Sequence, residues 1–197
     1  MKQVKRDELL DLGAYEQIRE RFRAAVIEEK KNRRFSVSDE LSIVFENHTT
    51  VLFQIQEMLR TERITREAAI QHEIDTYNDL IPAAGELSAT LFVEIADRDT
   101  RERRLVELAG LEESFALDVG GKSYPARNET RGVLPDRTTA VHYVKFPLDA
   151  EGVAAVIAGG RGGAVPRLRV RHPHLEVTTP LPPGVARAVA EDLQGEG

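Results

Sequence analysis

The spacing of apolar residues predicts an α+β fold in which a helical N-terminal half packs on a mainly antiparallel sheet with edge helices. Two observations carry this. Up to about residue 84 the apolar positions of the longer segments recur at three- and four-residue intervals, the period of one helix face. From about residue 85 they alternate in short runs punctuated by glycine and proline, the period of strands. At 197 residues the chain suits a single domain, with a helix-rich part over about 1–84 and a strand-rich part over about 85–197. Its 41% hydrophobic and 30% charged content are those of a chain able to bury a core, which argues against wholesale disorder.

Tyr15, Ile18, Phe22, Ala25 and Val26 form one stripe, with charged residues opposite, and predict a helix over 14–31. The basic run Lys30, Lys31, Arg33 and Arg34 at its end fits the favourable placement of cations near exposed helix carbonyls. Phe35 and Val37, then Leu41, Ile43 and Val44, read as a small hairpin around Ser38-Asp39. Asn47 is positioned to cap a helix from His48 to about Thr61. Thr65 is positioned to cap another that runs to about Leu80 and stops at Pro82. Beyond Gly85, strands are expected over 87–95, 115–119, 122–126, 139–146 and 167–172, with a hairpin turn at Gly120-Gly121. Helices are expected over 100–108, 150–157 and 185–193.

Several function classes are disfavoured at once. The formal charge of -6 argues against nucleic acid as a partner. With no cysteine the chain supplies no disulfide, thiol nucleophile or cysteine-ligated cluster, so a metal would have to be held by His, Asp or Glu. No serine sits in Gly-x-Ser-x-Gly. The opening MKQVKRDELLDL lacks the apolar run of a signal peptide and no stretch reaches bilayer-spanning length, so no membrane insertion is expected and the cytoplasm is the expected compartment. The glycines from 159 to 163 follow a predicted helix and precede a strand, the reverse of a phosphate-binding loop, and read as a flexible connection. His172-Pro173-His174 reads as a strand end closed by proline, behind a row in which Arg167, Arg169 and Arg171 face water and either guard an edge or meet an acidic partner.

The richest polar stretch runs from Glu46 to Pro82. On a helical projection Val51, Leu52, Ile55, Met58 and Leu59 form the core stripe of its first helix. His48 and Glu62 lie on that stripe, and Glu57 and Arg60 point away. In the second helix Ile70, Ile74, Tyr77 and Ile81 face inward, Glu73 lies on the flank, and His72 lies nearly opposite, beside Asp75 and Asp79. Arg60 or Arg63 could pair with Glu73. His142 shares a strand face with Ala140, Val144 and Phe146, and there it needs a partner such as Glu62, Glu73 or a backbone carbonyl. Glu62, His72, Glu73 and His142 together are compatible with a nitrogen-and-oxygen site for iron, manganese or zinc, the alternative being a structural hydrogen-bond network.

The segments RRFSV, FENHTTVLFQIQEMLRTERI, IQHEIDTYNDLIP and TAVHYVKF resemble an uncharacterised bacterial family known as domain of unknown function 3501. The matches concentrate at Phe45, Glu46 and Asn47, at Gln54, Gln56, Glu57, Met58, Arg60, Glu62 and Arg63, at Gln71, His72, Glu73, Asp75, Thr76, Tyr77 and Asn78, and at Pro82. The resemblance implies a soluble accessory or protein-interaction component of a bacterial redox or stress-response system. It implies a rubrerythrin-like or iron-sulfur oxidoreductase protein as the partner. The binding surface would comprise Gln54, Glu57, Arg60, Arg63, Asp75, Tyr77 and Asn78; a metal-binding protein or metal-dependent enzyme is the alternative. The family pattern also centres on His72, which suits a face covered by the strand-rich half or by another protein, with Phe53 on the same covered surface.

Overall fold

Side-chain caps start four of the helices. Asp11 accepts a hydrogen bond from the Ala14 N–H at the head of α1 (Leu12–Lys31), and Asn47 and Thr50 cap one another reciprocally at the head of α2 (His48–Thr61). Asp97 does the same for α4 (Arg98–Glu107) and Asp149 for α5 (Ala150–Gly160), each such cap stabilising by about 1 kcal/mol. Thr65 does not cap α3 (Glu67–Asn78): the flanking residue is Arg66 and no side chain closes that end. The last helix, α6 (Pro183–Gln194), starts with proline in its first turn, where the missing N–H costs nothing.

The structure is a computed structural model describing residues 1–128 and 136–195. Its strands are β1 (Arg34–Ser36), β2 (Leu41–Phe45), β3 (Glu86–Val93), β4 (Phe115–Val119), β5 (Lys122–Pro125), β6 (Arg127–Asn128), β7 (Val141–Pro147), β8 (Arg167–His172) and β9 (Leu175–Pro180). The α+β class expected from the sequence holds, but the strands divide into two antiparallel sheets rather than one. The first has the order β1-β2-β3-β7-β6, so the hairpin of the helix-rich part is built into it; the second has the order β5-β4-β8-β9. The β4–β5 hairpin turns at Gly120 and Gly121, both with positive φ, as a two-residue turn of this type requires.

Two strands are not among those expected, the two-residue β6 and β9. Pro173 and His174 form the turn of a β8–β9 hairpin in which His172 pairs with Leu175. His172 is buried and both ring nitrogens are occupied: Nδ1 accepts from the His174 N–H at 3.2 Å, which leaves Nε2–H to donate to the Ala109 carbonyl at 3.0 Å.

Alternation along the strands of the first sheet gives it two unlike faces. Leu41, Ile43, Phe45, Leu87, Ala89, Leu91, Val144 and Phe146 face the second sheet and meet Phe115, Leu117, Leu168 and Val170, with Leu105, Val156, Val185 and Val189 closing the edges from α4, α5 and α6. On the opposite face lie α2 and α3, whose Val51, Ile55, Leu59, Ile70 and Ile74 form a second cluster together with Val4, Leu9 and the partly buried Tyr143. Between those helices and the sheet lies a buried polar seam. Glu46, just after β2, accepts from Thr50 on α2 and from Thr90 on β3, the latter at 2.5 Å. Each hydroxyl satisfies one carboxylate oxygen, as a buried polar group requires.

The glycines expected to form a flexible connection do packing work instead. A Cβ on Gly160 would lie 2.5 Å from the Ala190 Cβ and 2.7 Å from the Ala186 carbonyl, so α5 and α6 approach at a distance that excludes any side chain there. Among the described residues no helix is long and apolar enough to cross a membrane.

Candidate functional site

Most of the polar residues in the Glu46–Pro82 stretch are spent on partners within the chain. α1 covers the outward face of α2. Tyr15 donates to Glu57 at 2.6 Å, and Arg19 grips the same carboxylate with two hydrogen bonds of 2.8 and 2.7 Å. The Arg19 guanidinium holds the Glu57 carboxyl below the usual range despite its partial burial, whereas burial and then Glu57 push the Tyr15 hydroxyl up. Arg60 pairs with Glu16 at 2.6 Å rather than with Glu73. Phe53, expected beneath the strand-rich half or another protein, meets the Phe22 ring edge-on at 5.7 Å between centroids, so α1 covers it instead, and His72 of the same expected surface is exposed. A projection of α2 alone cannot anticipate that.

Two amides act as backbone mimics. Asn78 accepts from the Val4 N–H and donates to the Val4 carbonyl, both at 2.9 Å; Gln56 does the same to Leu10 at 2.9 and 3.0 Å. Between them Arg6 pairs bidentately with Glu67. The first ten residues are thereby strapped across α2 and α3, with Val4 and Leu9 buried beneath. His48 Nε2 lies 3.1 Å from Glu8 Oε2, a separation without hydrogen-bond alignment. Of the expected binding surface, Glu57, Arg60 and Asn78 are internal ties, and Gln54 is hydrogen-bonded to Tyr77. Arg63, at φ 52, is exposed, and so is Asp75, which accepts from Gln71 at 2.7 Å.

The four expected metal ligands do not gather. Among the described residues no three His, Asp or Glu side chains form a group that could hold a metal ion. Glu62 is exposed because α2 ends at Thr61 and leaves it as the flanking residue, and His72 is exposed on α3. Glu73 is half-buried on α3 close enough to Tyr77 to act on its hydroxyl. His142 lies on the other side of the first sheet. Alternation along β7 sends it with Val144 and Phe146 toward the second sheet, while Tyr143 goes to the helices. Its partners are therefore neither Glu62 nor Glu73. Nε2 is 3.1 Å from the Thr138 hydroxyl, which lies 3.1 Å from Glu112 Oε2, and all three residues are buried. Burial pushes the imidazole down from its ordinary value; Glu112 and a backbone hydrogen bond to Thr139 oppose it.

The outer face of the second sheet is different. Leu168 and Val170 of β8 point into the core, and the alternate positions Arg167, Arg169 and Arg171 point outward. They line an open cavity of about 670 Å³ together with Asp118, Lys122 and Ser123, and Val119, the Gly120-Gly121 turn and Ala164-Val165 complete its lining. Arg169 is anchored, donating to Asp118 at 2.8 Å and to Ser123 at 2.5 Å; burial acts against it, but these bonds hold the Asp118 carboxyl down. Lys122 is drawn to Glu151 at 2.6 Å and Asp149 at 3.2 Å. Arg171 has only a loose contact with Glu176 at 3.8 Å, and both side chains are more than 70% exposed. Arg167, also exposed, faces the cavity across the strand pair from Asp118. The result is a groove of guanidinium donors in which one arginine is fixed and its neighbours on either side stand ready for an incoming anion. The arginine row was legible in the sequence, but Lys122 and Ser123 joined it only through the hairpin and the sheet order.

No protein of curated function matches the chain. Among solved structures it is similar to the crystal structure of a novel protein of unknown function from Burkholderia pseudomallei K96243. The two are 34% identical, the match covers 98% of this chain and 100% of that one, and the TM-score is 0.90. The family model described as protein of unknown function DUF3501 matches residues 3–193, a span that contains both the strapped helices and the arginine groove, and the chain belongs to that family.

Proposed function

We propose that the protein is a non-catalytic binding component that engages an anionic partner through the arginine groove of its second sheet. The observation that carries this reading is the alignment of Arg167, Arg169 and Arg171 along one cavity with Lys122, on a chain whose formal charge is -6. A locally cationic concavity on an acidic molecule orients an anionic ligand and repels the rest of the surface from it. The donors the groove leaves over are the guanidiniums of Arg167 and Arg171, Lys122 being paired with Glu151 and Asp149, and the carboxylate in its lining already accepts from Arg169, so the chemistry it supports is recognition rather than proton transfer.

The family resemblance adds the partner class: an acidic face of a rubrerythrin-like or iron-sulfur oxidoreductase protein, in a redox or stress-response setting. Titration with a fluorescein-labelled hexaglutamate peptide tests the groove. Anisotropy should rise at low salt and fall as salt is added. Arg167→Glu with Arg171→Glu should abolish the rise, and Arg63→Glu, on the opposite layer, should leave it unchanged. Equal binding by the wild type and the double variant would sink the reading.

A further inference from the structure

The outer edge of the first sheet carries a second cluster of cations. β1 is an outermost strand of that sheet, and beside it α1 contributes Ile27, Lys30 and Lys31 to a cleft of about 430 Å³ whose remaining lining is Arg34, Phe35 and Ser36. The hydrogen-bond register shows which way the edge faces. Phe45 N–H donates to the Arg33 carbonyl and Val37 N–H to the Leu41 carbonyl, with Phe35 opposite Ile43, so the odd-numbered residues bond to β2. By alternation the N–H and C=O of Arg34 and Ser36 point away from β2, toward the free edge.

We infer that this cleft binds an extended peptide with alternating acidic and apolar residues, which adds as a further strand beside β1. The pattern follows from the faces. Arg34 and Ser36 project to the α1 side of the sheet, and a strand paired with β1 would set alternate residues on that side, next to Lys30, Lys31 and Arg34. No carboxylate lines the cleft, so acidic side chains fit there. The residue between them would fall on the Phe35 side, where an apolar side chain extends the inter-sheet core. Ile27, 44% exposed, would be covered by the stems of the acidic residues.

Two of the cations are available. Lys30 lies 5.8 Å from the centre of the Phe53 ring, and Lys31 forms an exposed surface pair with Glu28, which contributes little and exchanges readily, so these two lysines supply the free charge; Arg34 is held by Glu94, by Ser42 at 3.2 Å and over the Phe92 ring at 5.4 Å. Backbone bonds to Arg34 and Ser36 would supply affinity and the flanking side chains selectivity, the logic of strand addition.

The test uses the whole protein, ¹⁵N-labelled, titrated with the probe acetyl-Glu-Val-Glu-Val-Glu-amide. Amide shifts should centre on Arg34 and Ser36. Ser36→Pro removes one outward N–H without touching the ladder to β2, so it should keep the wild-type fold by circular dichroism and weaken the probe about tenfold or more, the equivalent of one or two hydrogen bonds. A probe N-methylated at its central residues should bind as weakly to the wild type, and Lys-Val-Lys-Val-Lys should not bind. The inference is overturned if the probe causes no shifts at millimolar concentration, if the shifts fall on β8, or if hexaglutamate or the N-methylated probe produces the same shifts at β1. Failure here leaves the arginine groove standing, because Arg167→Glu with Arg171→Glu alters neither residue lining nor strand register at β1.

Discussion

The helix layer and the outer face of the second sheet are both rich in charge, yet they use it in opposite ways. On the helix layer, charges and amides find partners inside the chain: Glu57 with Tyr15 and Arg19, Asn78 with Val4, Gln56 with Leu10, Glu46 with Thr50 and Thr90. On β8 one arginine is tied down and two point outward into a cavity. A polar residue is a candidate for recognition when its hydrogen-bonding capacity is left over after folding, and local density of polar residues says little about that. The same contrast separates ties that hold the fold from donors that wait for a ligand.

The comparison breaks first at the buried ion pair of Arg33 with Asp192, whose two hydrogen bonds of 2.6 and 3.0 Å join the end of α1 to α6. Both side chains are at most 5% exposed, so Asp192→Ala would leave a buried guanidinium with Glu29, 2.6 Å from its Nε, as its one carboxylate partner and should cost about 3 kcal/mol in urea unfolding. Replacing both by apolar residues of similar volume should recover most of that loss. If Asp192→Ala alone is nearly neutral, the pair is not the internal tie described here.

The strap comes next. Asn78→Ala leaves the buried backbone N–H and carbonyl of residue 4 without partners and should cost about 1–3 kcal/mol, while Gln56→Ala frees those of the more exposed residue 10 and should cost about 1 kcal/mol. Hydrogen exchange over residues 1–10 should accelerate well beyond that of β3; uniform acceleration would mean that the amides serve the global fold and not the strap.

A smaller effect belongs to pH. Burial lowers the proton affinity of His142 in the folded state, so below 6.5 the unfolded chain takes up a proton there more readily. The contribution is present above the unfolded value and is lost as pH falls through it. The melting temperature should therefore decline between pH 7 and pH 5, and His142→Asn should flatten that decline. An unchanged slope would show that Glu112 holds the charged imidazole in place. Least of all in stability, Arg167→Glu with Arg171→Glu should shift unfolding by no more than about 0.5 kcal/mol, because neither side chain supports the core, while abolishing binding of an anionic probe. A large loss of stability would move β8 into the class of internal ties.

Period and capping made the fold legible. Asn47 and the alternation of β3, β7 and β8 put these elements within a few residues of where they lie. β9 escaped because Pro173 suggests an end where the chain instead turns, although Leu175, Val177 and Thr179 alternate with Glu176 and Thr178 as an edge strand does. The site was harder, because side-chain direction on one helix cannot say which element covers it. Glu57 and Phe53 project away from the stripe of α2, and they are covered because α1 packs there. His142 needed a buried partner, as the strand pattern implied, but strand order brings it Thr138 and Glu112 rather than the helical glutamates. The arginine row required no such rescue, since a strand flanked by core residues leaves its alternate positions nowhere to go but outward.

The span of the Arg33–Asp192 pair, 159 residues, has a consequence for synthesis. Arg33 emerges from the ribosome early with Glu29 already four residues behind it, but the bidentate partner that completes its burial comes only with α6. A chain stopped before Asp192 leaves that guanidinium with a single carboxylate and two of its donors unpaired. Such fragments should be more accessible to proteases than a chain that carries α6.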